Sequence, residues 1–139
     1  MRLREFMQAP VYACSPTATL AAAAGQMEAH NVGSLVVIDE ERMVGIITDR
    51  DLALCLAHGH GATATVAEVM SAHVVSIPDD ADIDDAAAAM DSHGVRRLPV
   101  VDDQEHPIGM ICLDDLYNYL TQEAITLFGA VRAQGAPQA

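Results

Sequence analysis

Apolar positions along this chain fall into two kinds of run, and the runs come in the same order twice. Short runs rich in β-branched residues read as buried strands: Val11 to Cys14, Ser34 to Ile38 and Met43 to Thr48, then Val74 to Ile77, Leu98 to Val101 and Ile108 to Cys112. Alanine-rich runs between them read as helices, alanine being the best helix former. The first is capped by Thr17 or Thr19, reaches about His30, and is stopped by Asn31 and Gly33. Glu40-Glu41-Arg42 turns the chain between two strands, and Asp49 caps a helix running towards His58. His58-Gly59-His60-Gly61-Ala62-Thr63 forms a linker, with glycine breaking the helix. In the second half Pro78-Asp79-Asp80 is the turn. Asp82 to His93 is a helix with an acidic first turn, which suits the helix dipole. Asp114 opens a last helix through Tyr117, Tyr119 and Leu120 to about Phe128.

The repetition keeps register. His30 and His93, Met7 and Met70, and Met27 and Met90 each lie 63 residues apart, while Gly45 and Gly109 lie 64 apart. The second copy therefore gains one residue, near His106-Pro107. A fixed offset over so many positions marks an internal duplication. The expected fold is α/β in the broad sense (α+β): two tandem β-α-β-β-α repeats with pseudo-two-fold symmetry. Residues 1–62 form the first repeat and 63–128 the second, with 129–139 as a flexible tail. One repeat alone is near the size at which a core is marginal, so the two should fold as a unit. Ligand clefts favour the junction of such units.

Charge narrows the function. The formal net charge of −13 disfavours a nucleic-acid or anionic-membrane partner, since phosphates would be repelled. The chain has no lysine, and three of its arginines, Arg50, Arg96 and Arg97, fall inside the repeated motifs. Cys14, Cys55 and Cys112 are far apart and odd in number, as reduced thiols of a cytoplasmic protein would be. The first residues carry no apolar signal core, and no run is long enough to span a bilayer. No Ser-His-Asp or Cys-His arrangement supports nucleophilic catalysis, so an enzyme is not expected. His58 and His60 lack a third metal ligand. The acidic run from Asp79 to Asp85 lacks the glycine and terminal glutamate of a calcium loop, so no metal is expected.

Gly45-Ile46-Ile47-Thr48-Asp49-Arg50-Asp51 carries the candidate chemistry. A strand ends in Thr48 and a helix follows at once. Backbone N–H groups at a helix N-terminus, beside a hydroxyl, suit a phosphate. A carboxylate at Asp51 suits the two hydroxyls of a ribose. The same Thr-x-x-Asp spacing is also an ordinary helix cap.

A tandem β-α-β-β-α unit, with Gly-h-h-Thr-x-x-Asp after its third strand and Arg97-Leu98-Pro99-Val100-Val101-Asp102 on its second, resembles the cystathionine-β-synthase (CBS) domain family from about Met7 to Leu120. Two such repeats make a Bateman module, and the layout is similar to small stand-alone CBS-pair proteins. The resemblance implies a regulatory sensor binding an adenosyl nucleotide, AMP, ADP, ATP or S-adenosylmethionine, between the repeats. By resemblance, one cleft combines Thr48 at the phosphate, Asp51 at the ribose, Arg96 and Arg97 as phosphate cations, and Tyr12, Ala13 and Cys14 around the adenine, with Arg50 as a further nucleotide-binding residue. Charge-assisted Arg–phosphate bonds are the strong kind. A weaker second cleft would use Cys112, Asp115, Ser34, Ser76 and Ile77. Gly33 and Ser34 stand there in place of the arginines, so that cleft is expected to be empty or to take an uncharged adenosyl group. A disc-like homodimer and a separate effector protein complete the expectation, with the last helices and the alanine-rich helices at the interface and Ala21 to Met27 and Ala86 to Met90 partly buried between chains. The alternative is a dimerisation scaffold with vestigial clefts.

Overall fold

A computed structural model of the chain describes residues 2–135. Each half carries a three-stranded sheet. The first holds β1 (Ala13–Cys14), β2 (Ser34–Asp39) and β3 (Arg42–Thr48) in that order, β1 parallel and β3 antiparallel to β2. The second repeats the plan with β4 (Ile77–Pro78), β5 (Arg97–Val101) and β6 (Pro107–Cys112). The helices are α1 (Leu20–His30), α2 (Asp49–Ala57), a short α3 (Val66–Val69), α4 (Ile83–His93) and α5 (Leu113–Gly135).

Capping chemistry sets the helix ends. Thr19, not Thr17, accepts the Ala22 N–H and starts α1, and Asn31 ends it in the left-handed conformation at φ 52°. Asp82 and Asp85 close a reciprocal box on α4. The cap of α2 is Thr48, while Asp49, expected to cap, is already the first helical residue. Glu40 and Glu41 both adopt positive φ, which makes the two-residue turn between β2 and β3.

Two outer strands are shorter than their apolar runs suggest. Only Ala13–Cys14 and Ile77–Pro78 join a ladder, and Pro78 lies in the strand rather than the turn. The segments before these strands do something else: each crosses to the opposite repeat. Leu3 is fully buried in the core of the second half with Ile83, Met90, Leu98, Ile111 and Leu116. Val66 is fully buried in the core of the first half with Leu20, Met27, Leu35, Ile47 and Cys55. The Leu3 N–H bonds to the Ala81 carbonyl at 3.0 Å, and the Val66 N–H to the Ala18 carbonyl at 2.8 Å.

The crossing segments then lie along the third strand of the other repeat. Gln8 bridges Met110, and Ser71 bridges Ile46. The glycine of each Gly-h-h motif makes room for this contact. A Cβ on Gly45 would stand 2.9 Å from the Ser71 carbonyl oxygen, and one on Gly109 would stand 3.1 Å from that of Gln8. The boundary expected at residues 62 and 63 therefore does not separate two cores, because each repeat begins with a strap that completes its neighbour.

Met27, Met90, Ala23 and Ala86 are buried within their own chain's cores, while Ala21, Ala22, Ala24, Ala87 and Ala88 of the same helices are exposed. One expectation needs correction: α5 does not stop near Phe128 but continues to Gly135, through most of the segment expected to be a flexible tail. Residues 136–139 of that tail lie outside the described residues.

Candidate functional site

The two strand pairs bring their functional ends together. Ser34 is paired with Thr48 across β2 and β3, and Arg97 with Cys112 across β5 and β6. The Asp49 N–H bonds to the Gly33 carbonyl at 2.9 Å, and the Leu113 N–H to the Arg96 carbonyl at 2.8 Å. These equivalent bonds tie the first turn of α2 and of α5 to the strand beside it.

Between the repeats lies a cavity of about 450 Å³, lined by Tyr12, Gly33, Ser34, Arg97, Met110, Cys112 and the strap from Met7 to Val11. That volume suits a small ligand. A second cavity of about 240 Å³ shares Arg97 and Cys112 with the first and adds Asp49, Arg50, Arg96, Leu113 and Asp114. Three of the chain's arginines thus meet the first turns of α2 and α5 in one place. Arg97 touches both cavities and makes an ion pair with Asp49 at 3.7 Å that crosses from one repeat to the other. The pair is partly exposed, and exposed pairs contribute roughly 0–1 kcal/mol, so it exchanges easily. Gly33 leaves the space: a Cβ there would stand 2.9 Å from an Arg97 guanidinium nitrogen and 3.0 Å from an Asp49 carboxylate oxygen.

This geometry redistributes the expected site residues. Arg50, Arg96 and Arg97 do converge. Tyr12 does not join Thr48 and Asp51; it lines the larger cavity with Ser34 and Cys112. The strap explains why, since the residues before β1 run along β6 of the other repeat rather than β3 of their own. The cleft that holds Cys112 also has a cation, Arg97, which sequence reasoning had assigned only to the first. Ala13 is exposed on the strand face opposite Tyr12, and Cys14 packs against the core of the first half. Ser76, at the position equivalent to Ala13, lines a separate surface cavity with Val101 and Glu105. Ile77 is buried in the core of the second half.

Thr48 and Asp51 satisfy each other. The Thr48 hydroxyl accepts the Asp51 N–H at 3.1 Å, and the Asp51 carboxylate accepts the Thr48 N–H at 2.9 Å. Asp51 lines a different cavity, with Leu54, Cys55, His58, His60 and Glu68. Among the described residues no three His, Cys, Asp or Glu side chains stand so as to hold a metal ion. At the equivalent turn the Asp115 carboxylate accepts the Cys112 N–H at 3.2 Å, and the Cys112 thiol donates to it at 3.0 Å. Burial, and then this bond to Asp115, hold the Cys112 thiol above its ordinary pKa.

The strap from Met7 to Val11, with Asn31, Asp49 and Asp114, was not foreseen as part of the site. A signal for the strap existed in the glycines at positions 45 and 109, because glycine inside a strand often marks a close backbone approach. Tyr12 stacks on His30, with ring centroids 3.8 Å apart and planes 10° from parallel. One side of the Tyr12 ring is therefore already covered by α1.

Known proteins agree with this architecture. The CBS domain family model matches residues 3–58 and 66–122. CBS domain-containing protein YhcV of Bacillus subtilis is 37% identical over 124 residues, 88% of this chain and 88% of that one. Hypoxic response protein 1 of Mycobacterium tuberculosis is 34% identical over 140 residues, 98% of this chain and 95% of that one. The crystal structure of the CBS domain pair of protein MJ0100, in complex with 5′-methylthioadenosine and S-adenosyl-L-methionine, matches with a TM-score of 0.81 at 26% identity, over 88% of this chain and 98% of that one. With two matched repeats that span most of its length, the chain belongs to the CBS domain family and is a tandem CBS pair.

Proposed function

We propose that this protein is a ligand sensor that takes an adenosyl compound into the cleft between its repeats. The carrying observation is the position of Arg97. It stands where the larger cavity, with Tyr12 at its rim, meets the smaller one, where Arg50 and Arg96 join the first turns of α2 and α5. An adenosine moiety fits the larger space, and an anionic group fits the arginines. That the MJ0100 pair is in complex with 5′-methylthioadenosine and S-adenosyl-L-methionine supports the class of ligand. AMP, ADP, ATP and S-adenosylmethionine are the candidates.

The ion pair between Arg97 and Asp49 gives binding a way to be felt. A ligand anion competes with Asp49 for the guanidinium, and Asp49 opens α2 in the other repeat. Occupancy therefore loosens one tie between the repeats and replaces it with the ligand. A separate effector protein would read that change, and no catalytic role is assigned. Cys14, Cys55 and Cys112 stand as free thiols, which suits a reducing compartment such as the cytoplasm. No helix among the described residues is long and apolar enough to cross a membrane.

A melting-temperature screen with AMP, ADP, ATP, S-adenosylmethionine and 5′-methylthioadenosine tests the reading. A ligand at about 100 times its dissociation constant adds about 2.7 kcal/mol of stability, a shift of several degrees for a chain of this size. No shift with any of these at millimolar concentration would favour the scaffold reading instead.

A further inference from the structure

The first helix of each repeat ends in the same way, but the two ends differ by one side chain. Asn31 closes α1 at φ 52° and Gly94 closes α4 at φ 64°, both in the left-handed conformation. The turns are bonded alike. The Val32 N–H reaches the Met27 carbonyl at 3.0 Å, and the Val95 N–H reaches the Met90 carbonyl at 3.1 Å. Glycine is the usual residue at such a position because it has no Cβ, and asparagine is the next choice. The second repeat uses glycine and places no side chain there. The first uses asparagine, and Asn31 lines the cavity of about 450 Å³. Closing the helix does not by itself call for that carboxamide.

The residue before each closure also changes its task. His93 turns back on its own helix, with Nδ1 3.0 Å from the Ala89 carbonyl oxygen. His30 instead stacks on Tyr12. In the second repeat Val75 takes the place of Tyr12, so no ring stands there. Tyr12 is held firmly: its carbonyl accepts the Val36 N–H at 3.0 Å, and it packs on the core of the first half. One repeat thus brings an aromatic ring and a carboxamide to the same cavity wall, where the other has only Val75 and Gly94. A ring gives a purine a surface to stack on. A carboxamide offers a donor and an acceptor side by side. That pair matches adenine, whose 6-amino donor lies beside the N7 acceptor. A 6-oxo purine shows two acceptors at the same edge and can take only one of the two bonds.

We propose that Asn31 reads the base edge of the ligand, with Tyr12, backed by His30, as the stacking surface, so that the cleft selects adenine over 6-oxo purines. This rests on the adenosyl-sensor reading and adds base selectivity to it. Titration calorimetry with AMP against inosine 5′-monophosphate, and with adenosine against inosine, tests it. The native chain should bind the adenine member of each pair roughly 5- to 150-fold more tightly. Asn31→Gly keeps the left-handed closure, so its melting temperature without ligand should match or exceed that of the native chain. It should nonetheless lose most of the preference, by weakening the adenine compounds more than the inosine ones. A native chain that binds both members of each pair equally, or a preference kept in Asn31→Gly, overturns the proposal and leaves the nucleotide cleft standing. A preference kept in Asn31→Gly but lost in Gln8→Ala assigns the base edge to the other carboxamide of the wall and overturns it too. A native chain that binds none of the four compounds overturns the sensor reading, and this proposal with it.

Discussion

At the end of β3 the Thr48 hydroxyl and the Asp51 carboxylate each accept the other's backbone N–H; at the end of β6 the Asp115 carboxylate accepts both the N–H and the S–H of Cys112. A hydroxyl is a good acceptor and closes the cap reciprocally. A thiol is a weak acceptor, so it turns to the carboxylate as a donor instead. The first turn is thus satisfied within itself, and Asp51 lines the cavity that holds His58 and His60. The second places Cys112 on the wall of the inter-repeat cavity, opposite the strap and beside Arg97. The Thr-x-x-Asp motif looks the stronger of the two as written, yet the larger cavity is built at the turn with the poorer motif. What decides is the crossing of the straps, which the motif itself does not encode.

Breaking both repeats in the same way should have the largest effect. Leu35 and Leu98 are equivalent and fully buried. Leu35→Ala and Leu98→Ala should each cost about 2–5 kcal/mol. Because Leu3 and Val66 tie each core to the other repeat, each variant should still melt in a single transition. Calorimetry that resolves two transitions would mean the repeats fold separately, and the straps would lose their assigned role.

The straps themselves come next. Gly45→Val and Gly109→Val force a side chain against Ser71 and Gln8, and overpacking of this kind costs about 1–3 kcal/mol. Denaturant midpoints measure it. If Gly109→Val alone weakens ligand binding while Gly45→Val does not, the cleft is at the strap of residues 7–12, as described here. Equal loss in both would place ligands on both sides.

A third comparison separates the arginines from the rest of the cleft. Arg97→Ala removes a charge-assisted contact of about 1.5–3 kcal/mol, so a phosphorylated ligand should bind roughly 10- to 150-fold more weakly. Adenosine should be nearly unaffected. Titration calorimetry with AMP and adenosine reads both, and equal weakening of the two would remove the phosphate role from Arg97.

The smallest effects lie at the turns. Thr48→Ala removes a cap and should cost about 1 kcal/mol. Cys112→Ser should restore the hydroxyl acceptor and gain stability by up to about 1 kcal/mol through the same bond. The raised pKa of Cys112 means less thiolate at a given pH, so alkylation should start at higher pH than for an ordinary cysteine, and Asp115→Asn should bring it down. A Cys112 that alkylates as readily as a free thiol would contradict the hydrogen bond to Asp115.

Much of the fold could be read from local pattern. The duplication, the inner strands β2, β3, β5 and β6, and the helices α1 and α4 follow from runs and caps that lie within a few residues of one another. The meeting of Arg50, Arg96 and Arg97 in one cleft was implied by the family resemblance, not by the spacing of the motifs alone. The exchange of straps did not, because whether Tyr12 meets Thr48 or Cys112 depends on which third strand the preceding residues cross, a contact about a hundred residues away in sequence. The length of α5 was also missed. The expected end near Phe128 rests on the general fraying of chain termini, whereas the 3.5-residue spacing of Tyr117, Leu120, Ala124, Leu127 and Val131 carries the opposite signal.

A crystal structure of the protein with an adenosyl ligand, S-adenosylmethionine or AMP, tests the central claim most directly. The ligand should lie between the repeats with its adenosine near Tyr12 and Ser34, its charged end at Arg97, and the contact between Arg97 and Asp49 exchanged for one to the ligand. A ligand held instead by Thr48 and Asp51, with Tyr12 and Cys112 untouched, would contradict the account.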